Sequence, residues 1–380
     1  MKFTIQRDQL MASVQDVMKA ISSRTTIPIL TGMKLEASED GIKLTGSDSD
    51  VSIESFIPAE EDGIVYVEDI QPGSIVLQAK YFPDIVRKLP QSSVHISVDD
   101  HLNVSIQSGS AEFHLNGQDA EEYPQLPQLQ TEHSLEIPID LLKTLIKQTV
   151  FAVSTSETRP ILTGVNMQIS GDDLYFVATD SHRLASRKVP MNGQLKNLSF
   201  ENVVIPGKSL TELNKILDDS QETIEISVTE NQILFRTKHL YFLSRLLDGN
   251  YPETSRLIPE QSKTVVQIDT KELLQSIDRA SLLAKENRNS VVKLVTKNDT
   301  QVEITSNSPE VGKVVEEVRT ESLEGEELKI SFSAKYMMDA LKVMDSEKVN
   351  IQFTGAMRPF LIQPIDDDQI LQLILPVRTY

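Results

Sequence analysis

The chain has 380 residues, of which 39% are hydrophobic and 24% charged, so it is expected to form two or three globular domains. Its net charge of −19 argues against a uniformly basic nucleic-acid binder, and the absence of cysteine excludes disulfides, thiol nucleophiles and cysteine-ligated metals. The first residues lack the apolar run of a signal peptide and no apolar stretch is long enough to span a membrane, so we expect a cytoplasmic protein.

A strand followed by a helix is predicted three times along the chain. Alternating apolar residues give way to helical spacing in three segments, residues 3–14, 135–146 and 266–277. A second pattern of strand, lysine and helix also occurs three times, at residues 74–89, 202–217 and 330–344. Matched segments in the same order indicate an internal threefold repeat.

The motif PILTG anchors the alignment of the first two repeats. It occurs at 28–32 and again at 160–164, and the alignment extends without gaps over residues 28–58 and 160–190. Both segments alternate apolar and polar residues around a turn, which predicts a β-hairpin with PILTG at the entry of its first strand.

The ends of the first two repeats also correspond, because Tyr123 and Pro124 match Tyr251 and Pro252. A repeat of about 128 residues is too long for a solenoid unit and long enough to hold its own core. We predict three α+β domains, residues 1–125, 126–253 and 254–380, with linkers near 124–133 and 252–263. Each domain is expected to contain about eight strands and two helices.

Positive charge is concentrated in the predicted helical segments. These segments together carry +7, which leaves −26 for the rest of the chain; they are residues 7–24, 80–89, 140–152, 208–217, 271–288 and 335–344. Basic helices in an acidic chain favour weak, non-specific contacts with a polyanion. Short helices often carry a solvated lysine, so the charge pattern alone leaves both interpretations open.

The three tandem repeats, the basic helices and the motifs PILTG, TDSHRL (179–184) and LPVR (375–378) together resemble one family, the bacterial DNA polymerase III β subunits or β sliding clamps. The resemblance covers the whole chain. It implies a DNA-clamp fold in which two chains join head to tail into a ring, with helices lining the inner face and antiparallel sheets outside.

The resemblance further implies a processivity factor that encircles double-stranded DNA and is not an enzyme. Its partners would be the catalytic subunit of DNA polymerase III, the clamp loader, other polymerases and repair proteins, all bound through short linear motifs, with no cofactor and no membrane. The implied DNA-binding residues are Arg24, Lys80, Arg159, Lys208 and Lys335, the three lysines standing at the start of the second helix of each repeat.

A pocket for the linear motifs is implied at the junction of the second and third repeats. Its residues would be Leu162, Thr179, Ser181, His182, Arg183, Leu184, Pro252, Arg256, Leu257, Leu375, Pro376, Val377 and Arg378, followed by Thr379 and Tyr380 at the rim. At the implied ring interface, Phe113 and Leu115 of one chain would meet Leu282 and Leu283 of the other, a heterologous contact.

Two other functions compete with the clamp. One is a soluble, β-rich scaffold that binds proteins without contacting DNA. The other is a hydrolase built on Asp180, Ser181 and His182, but adjacent residues of a strand point to opposite faces, so we interpret this segment as a strand end or turn. The acidic segments 46–50 and 366–368 lack the spacing of a calcium loop, so we predict no metal site.

Overall fold

The computed structural model describes residues 1–127, 134–193, 195, 200, 202–218, 222–284, 290–298 and 300–378. Two compact units make up the chain: the first combines Met1–Ile139 with Glu212–Leu246, and the second combines Asp140–Thr211 with Leu247–Tyr380. The central repeat therefore contributes residues to both units.

Strands and helices follow a common order in the described part of each repeat, with three additional strands between Glu60 and Gln71 in the first repeat and one, Ser322–Gly325, in the third. The first repeat contains β1 Lys2–Gln6, α1 Arg7–Val17, β2 Gly32–Ser38, β3 Gly41–Ser47, β4 Val51–Pro58, β5 Glu60–Glu61, β6 Ile64–Val65, β7 Val67–Gln71, β8 Gly73–Gln78, α2 Phe82–Lys88, β9 Ser93–Val98, β10 Asn103–Ser108 and β11 Ala111–Asn116. The second contains β12 Ser134–Pro138, α3 Ile139–Thr149, β13 Gly164–Ser170, β14 Asp173–Thr179, β15 Arg183–Pro190, β16 Val203–Pro206, α4 Gly207–Ile216, β17 Thr223–Val228, β18 Gln232–Arg236 and β19 Leu240–Arg245. The third contains β20 Thr264–Asp269, α5 Thr270–Ala284, β21 Val291–Asn298, β22 Gln301–Ser308, β23 Gly312–Arg319, β24 Ser322–Gly325, β25 Lys329–Ser333, α6 Ala334–Leu341, β26 Lys348–Phe353, β27 Phe360–Pro364 and β28 Ile370–Ile374.

The first unit is built on two antiparallel sheets. Five strands pair in the order β11-β10-β9-β1-β7, and eight pair in the order β12-β17-β18-β19-β4-β3-β2-β8. The pairing of β4 with β19 joins strands of the first and second repeats in one sheet. Alternate residues such as Val94 and Ile96, or Val104 and Ile106, are fully buried, as expected for strands with one face on a core.

The second unit repeats this plan. Its nine-stranded sheet has the order β16-β13-β14-β15-β28-β27-β26-β20-β24, and its four-stranded sheet has the order β23-β22-β21-β25. The pairing of β15 with β28 joins the second and third repeats. One large core, which includes Ile277, Phe332 and Phe353, is packed between α5, α6 and these sheets.

The predicted hairpins and strand–helix pairs are present, with two differences in detail. Residues Pro28–Thr31 and Pro160–Thr163 of the PILTG motifs form short 3-10 turns, and only the glycine that follows begins a strand. Lys208 and Lys335 are the second residues of α4 and α6, but Lys80 precedes α2. A helix starting one residue before Lys80 would place Pro83 where a backbone N–H is needed, so α2 begins at Phe82 instead.

Candidate functional site

A tight turn connects β14 to β15 at residues 179–183. The Asp180 carboxylate accepts hydrogen bonds from the backbone N–H groups of His182 (2.9 Å) and Arg183 (3.0 Å), and the Thr179 hydroxyl donates to the Arg183 carbonyl (2.6 Å). Ser181 has φ of 76°, which places it in the left-handed region. The interpretation as a strand end and turn is confirmed, because Asp180 stabilises the turn and does not orient His182 as a base.

The guanidinium of Arg183 is buried at the base of this turn. Its side chain is only 7% exposed and pairs with Asp180 (Nε to Oδ2, 3.1 Å) and Asp339 of α6 (Nη1 to Oδ2, 2.6 Å). It also donates to the Phe151 carbonyl (2.6 Å) and lies 4.5 Å from the centre of the Tyr336 ring. Because Arg183 is buried and each of its three guanidinium nitrogens donates to a neighbouring group of the chain, it holds the turn in place.

An apolar cluster lies on one face of β14, β15 and β28. Alternate residues of a strand share a face, so side chains two residues apart on these strands meet in a single patch. Four members are buried and four are half-buried; they are Val177, Leu184, Leu361 and Leu373, and Tyr175, Ile258, Leu371 and Leu375. We name this set the apolar floor.

A cleft of about 320 Å³ opens beside the apolar floor. Tyr175, Val177 and Leu184 form its base, and residues 251–255 form a wall. The Tyr251 hydroxyl accepts a hydrogen bond from the Thr179 backbone N–H (3.0 Å), which fixes the wall to the sheet. Burial raises the pKa of Tyr251, so the hydroxyl is neutral at physiological pH. We call this site the second-repeat cleft.

An apolar base with a polar edge is the arrangement that captures short peptides. Half-exposed aliphatic side chains offer anchor positions, while the exposed backbone and side-chain groups of the rim can hydrogen-bond to a peptide main chain. The second-repeat cleft therefore suits a linear motif with one or two apolar anchors.

All five residues with an implied DNA-binding role are exposed: Arg24, Lys80, Arg159, Lys208 and Lys335. Lys335 is paired with Asp339 on its own helix (2.8 Å), whereas the other four form no ion pair within the described part of the chain. The six α-helices contain ten Lys and Arg against eight Asp and Glu. Their net charge is +2, whereas the longer predicted segments carry +7, because those segments also include Lys19, Arg24, Lys80, Lys342 and residues 285–288, which together add +5.

Comparison with known proteins decides the family. Three models of the DNA polymerase III beta subunit match in chain order: the N-terminal domain over residues 1–127, the central domain over 136–253 and the C-terminal domain over 255–378. The chain belongs to the DNA polymerase III beta subunit family.

Full-length relatives agree with this assignment. The beta sliding clamp of Bacillus subtilis (strain 168) is 62% identical over 380 residues, and that of Halalkalibacterium halodurans is 56% identical, with all of each chain covered. The crystal structure of the Bacillus subtilis DNA polymerase sliding clamp matches with a TM-score of 0.94 at 61% identity and full coverage of both chains. The predicted clamp fold of three tandem α+β domains and the sliding-clamp function are confirmed over the scaffold alternative.

The structure brings some of the predicted clamp pocket residues together. Leu184 and Leu375 belong to the apolar floor, Pro252 forms part of the wall, and Thr179 binds that wall through Tyr251. The backbone N–H of Leu375 donates to the His182 carbonyl (2.9 Å), so the C-terminal segment begins beside the turn.

Other predicted pocket residues are not members of the apolar floor. Leu162 is buried at 2% exposure, and Arg183 is buried as described above. Arg256 is 81% exposed and pairs with Glu253 (3.0 Å), while Leu257 is 50% exposed. Exposed or half-buried positions are held by Ser181, His182, Pro376, Val377 and Arg378, and Thr379 and Tyr380 lie outside the described residues.

Several residues of the cleft were not foreseen from sequence. Tyr175, Val177, Ile258, Leu371 and Leu373 all contribute to the apolar floor or the cleft. The leucines at 371, 373 and 375 were a usable signal, because these positions share one face of a strand. No local signal identifies Asp339, which is 156 residues from Arg183 along the chain.

The acidic segments form turns within the described parts of the chain. The Asp48 carboxylate accepts from the backbone N–H of Val51 (2.8 Å), and Asp367 pairs with Arg187. Among the described residues, no group of three or more His, Cys, Asp and Glu side chains could hold a metal ion. No helix of the described chain is long and apolar enough to cross a membrane.

Proposed function

We propose that two copies of this chain close head to tail into a ring around duplex DNA, acting as a cytoplasmic processivity clamp. Three domains from each chain, residues 1–125, 126–253 and 254–380, would form the ring, with the helices facing the DNA. The clamp would tether the catalytic subunit of DNA polymerase III, and it would receive the clamp loader, other polymerases and repair proteins at the second-repeat cleft.

The observation that carries this proposal is a pair of outer strands with exposed apolar residues. β11 is an outer strand of the five-stranded sheet and β23 is an outer strand of the four-stranded sheet. Phe113 on β11 is 36% exposed, and Val315 on β23 is 50% exposed. An outer strand with unpaired backbone groups and apolar side chains is a template for pairing with another chain.

The proposed interface continues onto α5. Leu282 is 62% exposed and Leu283 is half-buried, so at least one of them is free to contact a partner. Arg279 of α5 bonds to Glu316 of β23 (Nε to Oε2, 3.1 Å), which holds this face of the helix beside the strand. Phe113 and Leu115 of one chain would pack on Leu282 and Leu283 of the other, a heterologous contact that closes after two copies.

Weak DNA contacts suit such a ring. Arg24, Lys80, Arg159, Lys208 and Lys335 are exposed, so they can contact phosphates, while the net charge of −19 keeps the overall attraction to DNA low. A ring that encloses DNA needs no tight contact, because dissociation requires opening of the ring or a free DNA end. Low affinity with long retention is therefore expected.

Retention on closed DNA tests the ring. The protein, loaded on a nicked circular plasmid by a clamp loader, is expected to remain bound through gel filtration and to be released when a restriction enzyme linearises the plasmid. A control with both ends of the linear DNA blocked by bound protein should restore retention. Equal retention on circular DNA and on linear DNA with free ends would show that binding is by contact and not by enclosure.

Peptide binding tests the second-repeat cleft. In Leu184→Asp, a carboxylate would replace a buried member of the apolar floor, so we expect a linear-motif peptide from a replicative polymerase to lose about 2 kcal/mol or more of binding free energy, roughly 30-fold in Kd. Fluorescence anisotropy of the labelled peptide measures the change. Truncation from Leu375 should have a similar effect while leaving the dimer intact.

Ile64→Glu supplies the matched control, because Ile64 is an exposed apolar residue of the first unit at 51% exposure. Its affinity for the peptide should equal that of the unmodified protein. An unchanged Kd in Leu184→Asp, with circular dichroism showing a folded chain, would place the peptide elsewhere.

A further inference from the structure

The first repeat contains a cleft at the position that matches the second-repeat cleft. It measures about 550 Å³ and lies between the sheet face of β2, β3 and β4 and the segment 123–127. Tyr123 and Pro124 of this segment correspond to Tyr251 and Pro252, and the sheet residues correspond through the alignment of 28–58 with 160–190. We call it the first-repeat cleft.

Strand register shows that the two clefts are equivalent. In the first repeat Lys34 lies opposite Thr45, Thr45 opposite Glu54, and Glu54 opposite Tyr241. The same row in the second repeat consists of Asn166, Val177, Ser186 and Leu371. The two clefts therefore share one backbone arrangement, and their side chains differ.

The floor of the first-repeat cleft is charged. Four side chains form a continuous chain of ion pairs, Lys34 to Glu36 (3.1 Å), Glu36 to Lys43 (3.2 Å) and Lys43 to Glu54 (3.4 Å). Burial opposes ionisation, but the hydrogen bond from Lys34 and the charge of Lys43 outweigh it and lower the pKa of Glu36. Glu36 is therefore charged at neutral pH.

The two ends of this chain have opposite charge. Lys34 and Glu54 each have one ion-pair partner within the described residues, whereas Glu36 and Lys43 each have two. An ammonium has three donors and a carboxylate accepts several hydrogen bonds, so both end groups can take a further partner. Lys34 favours an added carboxylate and Glu54 an added cation.

We propose that the first-repeat cleft is a second peptide-docking site, which takes an extended segment with one acidic and one basic side chain two residues apart. The proposal rests on the equivalence of the two clefts and does not require the ring. Lys34 and Glu54 are two strands apart, about 10 Å, while same-face side chains of an extended peptide are about 7 Å apart. Glutamate and arginine side chains are long enough to bridge the difference between these two distances.

The wall of the cleft suits an extended ligand. Pro124, Gln125 and Pro127 are exposed along it, and the Tyr241 hydroxyl donates to the Pro127 carbonyl (2.5 Å), which ties the wall to the sheet. An apolar motif is a poor occupant, because its anchors would cover four charged groups and remove their water without replacing its hydrogen bonds. The two clefts should therefore select different segments.

A pentapeptide array tests this selectivity on the full-length protein. The peptides have the form Gly-X-Ser-Z-Gly, with X and Z each chosen from Glu, Arg and Gln, and labelled protein is titrated over them. Peptides with one Glu and one Arg should bind at least fivefold more tightly than the Gln/Gln peptide or those with two like charges. The preference should weaken as salt is raised, because exposed charges are screened.

The second repeat supplies the matched variant. The double substitution Lys34→Asn with Glu54→Ser installs the residues found at the equivalent positions 166 and 186, and it should abolish the preference while preserving the circular dichroism spectrum and linear-motif binding. Leu184→Asp should leave the preference intact. Any of three results would overturn the proposal. The unmodified protein could bind all peptides equally, the double variant could keep the preference, or Leu184→Asp could lose it. Retention on circular DNA does not depend on these outcomes, so that experiment would show separately whether the proposed ring is wrong.

Discussion

Replacing Arg183 by alanine is expected to lower the free energy of unfolding of the second unit by about 3–5 kcal/mol, since it would leave Asp180 without its buried partner and Asp339 with only the exposed Lys335. Asp180 and Asp339 both bond to this guanidinium, and their side chains are 13% and 22% exposed. The substitution also leaves the Phe151 carbonyl without its donor. Removing one partner from a buried ion-pair network lowers the free energy of unfolding by more than the complete network contributes to it.

Urea unfolding followed by circular dichroism measures this change, because the chain contains no tryptophan for fluorescence. Arg183→Lys keeps the charge but not the planar fork, so an intermediate loss is expected. Arg256→Ala is the matched control: Arg256 pairs with a single carboxylate, Glu253, and at 81% exposure its loss should cost less than about 1 kcal/mol. Equal effects of Arg183→Ala and Arg256→Ala would contradict a structural role for the buried network.

The repeat and its hairpins could be predicted from the chain because they depend on local patterns. The alternation over 28–58 and 160–190 places the hairpins β2–β3 and β13–β14 correctly, since a strand with one buried face must alternate. The lysine at the start of the second helix was also visible, and it is the second residue of α4 and of α6. The predicted start of α2 was wrong, because Pro83 must lie in the first turn of the helix.

The joining of repeats could not be predicted in the same way. The pairing of β4 with β19 and of β15 with β28 brings together strands far apart in sequence, and no local pattern specifies which edges meet. For the same reason Arg183 looked like a ligand-facing residue of the TDSHRL motif. Its burial depends on Asp339 and Phe151, which lie on other elements.

Divergence of the repeats is visible only when register and sequence are combined. The sequence alignment pairs Lys34 with Asn166 and Glu54 with Ser186, but it does not show that these side chains share one face of a sheet. Strand pairing adds that fact: Lys34, Glu36, Lys43 and Glu54 form one charged floor in the first repeat, where the second repeat has the uncharged Asn166, Gln168, Tyr175 and Ser186. The two repeats therefore differ in the side chains that line their clefts, while their backbone arrangement is the same.

A single charge at the proposed ring interface is expected to convert the dimer to monomers. In Phe113→Glu, a carboxylate would meet the apolar side chains Leu282 and Leu283 of the other chain. A closed ring of two chains has two such interfaces, so each substitution acts twice. At about 2 kcal/mol for each buried anchor the total is about 4 kcal/mol, which raises the dimer dissociation constant roughly 1,000-fold.

Analytical ultracentrifugation over a concentration series measures this shift. The unmodified protein should sediment as a dimer of twice the chain mass of 42.6 kDa, and Phe113→Glu and Leu282→Glu should each sediment as the monomer at the same concentration. Ile64→Glu changes an exposed apolar residue away from β11, β23 and α5, so it should remain dimeric. If Phe113→Glu remained dimeric at concentrations where the unmodified dimer begins to dissociate, β11 would be excluded from the interface.

Because a ring opens when either interface opens, the monomeric variants should also be lost from circular DNA. A clamp held by phosphate contacts alone would keep its affinity for DNA.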